Sequence, residues 1–170
     1  MDIKTAPIGH EFTEAELQQH CNAVYGGVAW PGKKPGFAVV LAMSRRKEND
    51  SDSHEICLLD EYESSDMREL IRQCGVLNHK YEPEMWVGDT TNDSAEEFMH
   101  EMGDDFDFYL SETDLVEMNP LYPYILGKLK ELRNERHRRL FLQDDCKLLN
   151  YMGEIEPGEI AELQRGDFRR

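Results

Sequence analysis

Six carboxylates stand where a metal-dependent phosphodiester cleavage site would draw its ligands. Asp60 and Glu61 follow one apolar run, Asp89 closes another, and Asp144, Asp145 and Asp167 come late in the chain. Two hard cations roughly 4 Å apart need several converging carboxylate oxygens to bridge them and to support the attacking and leaving oxygens. Each of the six also has a structural reading: aspartates end strands and cap helices, and Asp144 or Asp145 is placed to be an N-cap. Two other constellations are weaker. Gly27-Val28-Ala29-Trp30-Pro31-Gly32-Lys33-Lys34 comes within one residue of the phosphate-binding G-x-x-x-x-G-K-[ST] pattern, with Lys34 replacing the hydroxyl residue that holds Mg²⁺. Pro35-Gly36 then breaks the chain where that loop must open a helix, so the segment reads as a hairpin turn. His54-x-x-Cys57 and Cys74-x-x-x-x-His79 supply four nominal zinc ligands. Cys57 falls in an apolar strand and Cys74 on the inward stripe of a helix, where burial as a small hydrophobe is the favoured reading. No G-x-S-x-G or cysteine-nucleophile signature is present.

The elements that must position these groups can be read from periodicity and punctuation. Thr13-Glu14-Ala15-Glu16 has capping-box spacing and opens a short helix. Val24 to Trp30 and Gly36 to Met43 read as strands joined by the turn-rich Pro31 to Pro35, which predicts an antiparallel hairpin. After a polar loop from Ser44 to Ser53, Glu55 to Tyr62 makes a third strand. A helix starting near Ser64-Ser65 carries Met67, Leu70, Ile71, Cys74 and Leu77 at helical spacing, a stripe that packs on the sheet. Met85 to Asp89 is a short strand, and strand, helix, strand implies a parallel crossover. A second capping box, Ser94 to Glu97, opens another helix. Phe106 to Leu110 reads as a further strand, and Asn119-Pro120 opens a long helix with Leu121, Ile125, Leu129 and Leu132 inward. Arg139 to Leu142 is a brief extended piece. Asp144 or Asp145 then caps a helix through Leu149, Met152 and Ile155, and Pro157 starts a last turn ending at Gly166. The fold class is α/β: a mixed sheet of a three-strand antiparallel meander followed by parallel strands, flanked by helices.

The chain of 170 residues fits a single domain, 1–170, with its core at about 24–156. At 39% hydrophobic and 32% charged it can bury a core beneath a well-solvated surface, which excludes a disordered composition. No apolar run approaches the ~20 residues of a membrane span, and MDIKTAPIGHEF lacks the features of a signal peptide, so the expectation is a cytoplasmic protein without membrane contact. Cys21, Cys57, Cys74 and Cys146 are widely spread, which suits reduced thiols. A formal net charge of −16 opposes nucleic-acid binding, which draws on Lys and Arg at phosphates. The one visible basic patch, Lys128, Lys130, Arg133, Arg136, Arg138 and Arg139, also reads as the favourably charged C-terminal end of a helix.

Taken in order, GGVAWPGKKPGFAVVLAM, EICLLDEYE, the amphipathic helix, MWVGDTTN and RRLFLQDDCKLLNYMGEIE resemble the nuclease domain of phage DNA-packaging terminase large subunits over residues 24–156. The resemblance implies a ribonuclease H-like fold and Mg²⁺- or Mn²⁺-dependent cleavage of double-stranded DNA in the host cytoplasm. It also implies a packaging ATPase, a small terminase subunit or a portal as partners. The family's first-strand aspartate falls on Ala29, which cannot bind a cation; Asp89 matches the second acid, and Asp144, Asp145 or Asp167 the third. No ATPase motif accompanies the domain. A cleavage-competent chain would hold metal with Asp89, Asp60 or Glu61 and a late aspartate such as Asp145, and touch DNA with the basic helix end. The reading favoured here is a weakened or inactive nuclease; the alternative is an acidic module that binds protein in phage assembly without catalysis.

Overall fold

The computed structural model describes residues 1–44, 55–88, 93–102 and 140–153. The strand expected at 106–110, the long helix from Asn119 and the last turn from Pro157 lie outside the described residues. Helix α1 (Glu14–His20) opens on the expected capping box: Thr13 N–H donates to Glu16 Oε2 at 2.8 Å and Glu16 N–H to Thr13 Oγ1 at 3.3 Å. The chain passes directly into β1 (Cys21–Ala29), turns, and returns antiparallel as β2 (Gly36–Ser44), with Ala29 opposite Phe37. Strand β3 (Ile56–Ser64) completes the antiparallel meander. Helix α2 (Met67–Tyr81) leads to β4 (Met85–Val87), which lies beside β1 and parallel to it. Helix α3 (Asp93–Met102) follows. Strand β5 (Leu140–Phe141) joins the far side of β3 in parallel, and α4 (Leu148–Gly153) comes next. The result is a five-stranded mixed sheet in the order β4-β1-β2-β3-β5. No helix among the described residues is long and apolar enough to cross a membrane.

The core lies between the sheet and α2. Val24, Val28, Ala38, Val40, Ala42 and Cys57 point to one face and meet Leu70, Ile71, Cys74, Leu77 and Tyr81 of α2. Asp66, rather than Ser64 or Ser65, caps α2: its carboxylate accepts from Glu69 N–H at 3.0 Å, while Ser64 Oγ accepts from Asp66 N–H at the strand end. Helix α3 begins at Asp93, one residue before the Ser94 cap read from the sequence. β4 is anchored by Trp86, fully buried, whose indole N–H donates to Asn78 Oδ1 of α2 at 3.0 Å and whose ring meets Phe98 of α3. Its flat face lies on Gly26, where an added Cβ would stand 2.3 Å from the indole. The parallel β1–β4 contact therefore needs a residue without a side chain at 26.

Two outcomes test this packing. Gly26→Ala is expected to lower unfolding free energy in urea by about 3 kcal/mol, the upper range for forcing one carbon into a close-packed core. On the α2 surface, Arg72, Tyr62 and Gln73 all donate to Glu69 and hold its carboxyl down at about 2, well below its ordinary 4.5. A lowered folded-state pKa gives stability present above pH 4.5 and lost between there and about 2. In acid titrations followed by circular dichroism, Glu69→Gln should therefore be less stable than the parent at pH 6, with the gap closing by pH 2.

Candidate functional site

Asp60 sits on the α2 face of β3 with its side chain 14% exposed. Its Oδ2 accepts from Tyr81 O–H at 3.0 Å and from the Lys80 ammonium at 3.2 Å, and its Oδ1 accepts from Glu61 N–H at 2.9 Å. Lys80 also donates to Gly9 O at 2.7 Å, and Tyr81 O–H lies 3.3 Å from His10 O, so the cluster draws in the N-terminal segment. Gly9, at φ +75°, turns that segment against the carboxylate, so that an added Cβ would stand 3.6 Å from Asp60 Oδ2. Burial, with the Asp60 charge next in effect, raises the Tyr81 phenol above its ordinary value and keeps it a donor. A divalent cation at Asp60 would have to displace an ammonium already paired with it.

Glu61 points the other way. Neighbouring residues of a strand face opposite sides of the sheet, and the Glu61 carboxylate reaches across the second face to α4. There Oε1 accepts from Lys147 N–H at 2.5 Å and Oε2 from Leu148 N–H at 3.0 Å. A negative group on the free amides of a helix start is favourable. This cap comes from β3, 86 residues earlier, and not from Asp144 or Asp145 as the sequence suggested. Those two aspartates are exposed in the turn before α4, which starts three residues past Asp145. Glu63, on the same face, pairs with Lys147 Nζ at 3.8 Å.

Asp60 and Glu61 thus serve separate faces and cannot converge on one ion pair. Asp60 lies opposite Val40, Val40 opposite Gly26, and Gly26 opposite Trp86. Strands β3 and β4 are therefore three strand spacings apart, roughly 14 Å. Asp89 and Asp167 lie outside the described residues. Ala29 ends β1, exposed, beside Phe37 of β2. Among the described residues no group of three His, Cys, Asp or Glu side chains is arranged to hold a metal ion. Cys57 and Cys74 are 1% and 0% exposed, and burial pushes both thiols up to about 12, so they pack as protonated hydrophobes. The glycine-rich segment is the β1–β2 turn, with β2 starting at Gly36 where a phosphate loop would open a helix. A cleft of about 430 Å³ opens elsewhere, between the C-terminal ends of α1 and α2, and Asp60, Glu61, Asp144 and Asp145 do not line it.

No protein-family model, curated protein or solved structure matches the chain.

Asp60→Asn should lower the unfolding free energy by about 2 kcal/mol, because Lys80 and Tyr81 lose their charged acceptor in a largely enclosed position. Double substitution with Lys80→Met should recover part of that loss, measured by urea denaturation as a double-mutant cycle. An Asp60 that serves only to hold metal would give no coupling with Lys80 in metal-free buffer.

Proposed function

We propose that the chain is a terminase-nuclease-like phage or prophage domain of ribonuclease H-like topology that has lost DNA cleavage and acts in genome packaging through protein contacts. The strand arrangement supports the fold part of this reading. An antiparallel meander, a helix, and a fourth strand returning beside the first and parallel to it give the order β4-β1-β2-β3. The short β5 feeding α4 accords with the late strand-to-helix segment of the resemblance.

The fates of Asp60 and Glu61 carry the loss of cleavage. One carboxylate is ion-paired and the other caps a helix, on opposite faces of the sheet. With alanine at position 29, the acids remaining to the family pattern are Asp89 and one of Asp144, Asp145 and Asp167, and a site lacking its bridging group holds divalent cations weakly. A net charge of −16 also repels the phosphate backbone. That leaves the packaging ATPase, small terminase subunit or portal as the kind of partner such a domain would meet.

Calorimetric titration with Mn²⁺ and a plasmid-nicking assay at low salt, each run on the parent and on Asp89→Ala, test the reading. The expected result is no saturable Mn²⁺ binding in the millimolar range and no nicking by either protein. Nicking by the parent that disappears in Asp89→Ala would overturn the loss of cleavage and make the protein a metal-dependent endodeoxyribonuclease.

A further inference from the structure

The cleft between the helix ends has features of a ligand site that the carboxylate pattern gave no hint of. Its floor is apolar, formed by Leu17, Cys21 and Val24, and its rim carries the carboxylates of Glu14, Glu82 and Glu84. The volume of about 430 Å³ lies in the range of small-molecule sites. Two further observations give the site a sign. The C-terminal ends of both α1 and α2 border it, and helix C-termini present carbonyl oxygens that carry partial negative charge. Of the two basic lining residues, His79 and Lys80, the lysine has its ammonium committed to Asp60 Oδ2 and Gly9 O, so three carboxylates face one imidazole. An apolar floor beneath a negative rim suits a cation on an alkyl stem, whose methylenes can lie along Leu17 and Val24 while its charged head meets the glutamates.

We infer that this cleft binds an alkylammonium or alkylguanidinium group. The inference needs nothing of the ribonuclease H-like reading. Such a group reaches a protein either as a free diamine or guanidino-amine or as a lysine or arginine side chain of a peptide. Two probes separate these sources: agmatine, and a capped Gly-Arg-Gly peptide amide. Each is titrated into ¹⁵N-labelled full chain and followed by amide chemical shifts at 150 mM salt, where diffuse attraction to a −16 surface is screened.

Saturable shifts confined to residues 17–24 and 79–84 are expected, reduced at least tenfold in affinity by the double substitution Glu82→Gln and Glu84→Gln. The control, Glu96→Gln with Glu97→Gln on α3, removes the same charge outside the cleft and should leave affinity within twofold. Response to agmatine alone assigns a free cation, and response to the peptide assigns a side chain of a partner. Equal losses in both variants, shifts spread over the acidic surface, or no saturable shift with either probe would overturn the inference. Circular dichroism of both variants, expected to match the parent, separates lost binding from lost fold.

Discussion

The Asp60 carboxylate is the point through which three separate parts of the chain are held together. It belongs to β3, accepts from Lys80 and Tyr81 at the end of α2, and through Lys80 fixes Gly9. An ion pair of this kind contributes little net stability over an apolar contact, since desolvation offsets most of the attraction. Its value is positional. With both oxygens occupied and the ammonium shared with a backbone carbonyl, α2 has one register against the sheet. The segment ahead of α1 then has a place to lie: Gly9 N–H donates to Leu59 O, Ile3 and Ala6 are each 2% exposed, and Lys4 pairs with Glu55 and stands over the Phe141 ring.

The same residue types do different work according to what the fold brings near them. Glu16 completes a capping box, Asp66 caps α2 locally, Glu69 gathers three donors on a helix surface, and Glu61 caps α4 from another element. All are acids in a chain with 35 of them, and the chemistry of a carboxylate is the same in each case. What separates a ligand from a cap is whether a cation, an amide or an ammonium stands within about 3 Å. Where the described residues supply no such partner, as at Glu82 and Glu84, the acids leave a negative field that attracts positive groups.

The elements whose signals are local could be read from the sequence. Thr13 and Glu16 lie three residues apart, the α2 stripe repeats every three or four, and the Pro31 to Pro35 turn ties two apolar runs into a hairpin. Position-by-position pairing across the sheet was not legible. The register shift between Val40 and Leu41 changes which β3 residues face α2, and it decides that Asp60 meets Tyr81 while Glu61 faces away. The partner of Asp60 on α2 is 20 residues away, and the amides that Glu61 caps are 86 and 87 away. Asp144 and Asp145 had the right spacing for an N-cap but were displaced by an acid with no sequence relation to the helix it caps. The cleft was invisible for a similar reason: it is made by the ends of two helices that only the sheet brings together.

The contacts that seal β3 join residues far apart along the chain. Gln143 donates to Leu58 O and to Ala6 O, across 85 and 137 residues. Contacts at such separations form late in folding, because the loop they close must first lose its freedom. During synthesis, β1, β2, β3 and α2 can assemble from the first 81 residues, while the outer edge of β3 lacks its β5 neighbour until residues 140–148 have left the ribosome. For that interval the nascent chain presents an unpaired strand edge. Glu61 and Glu63, whose partner Lys147 comes with that later segment, then have a second use: until it arrives, their charges on the second face of β3 discourage another chain from pairing there.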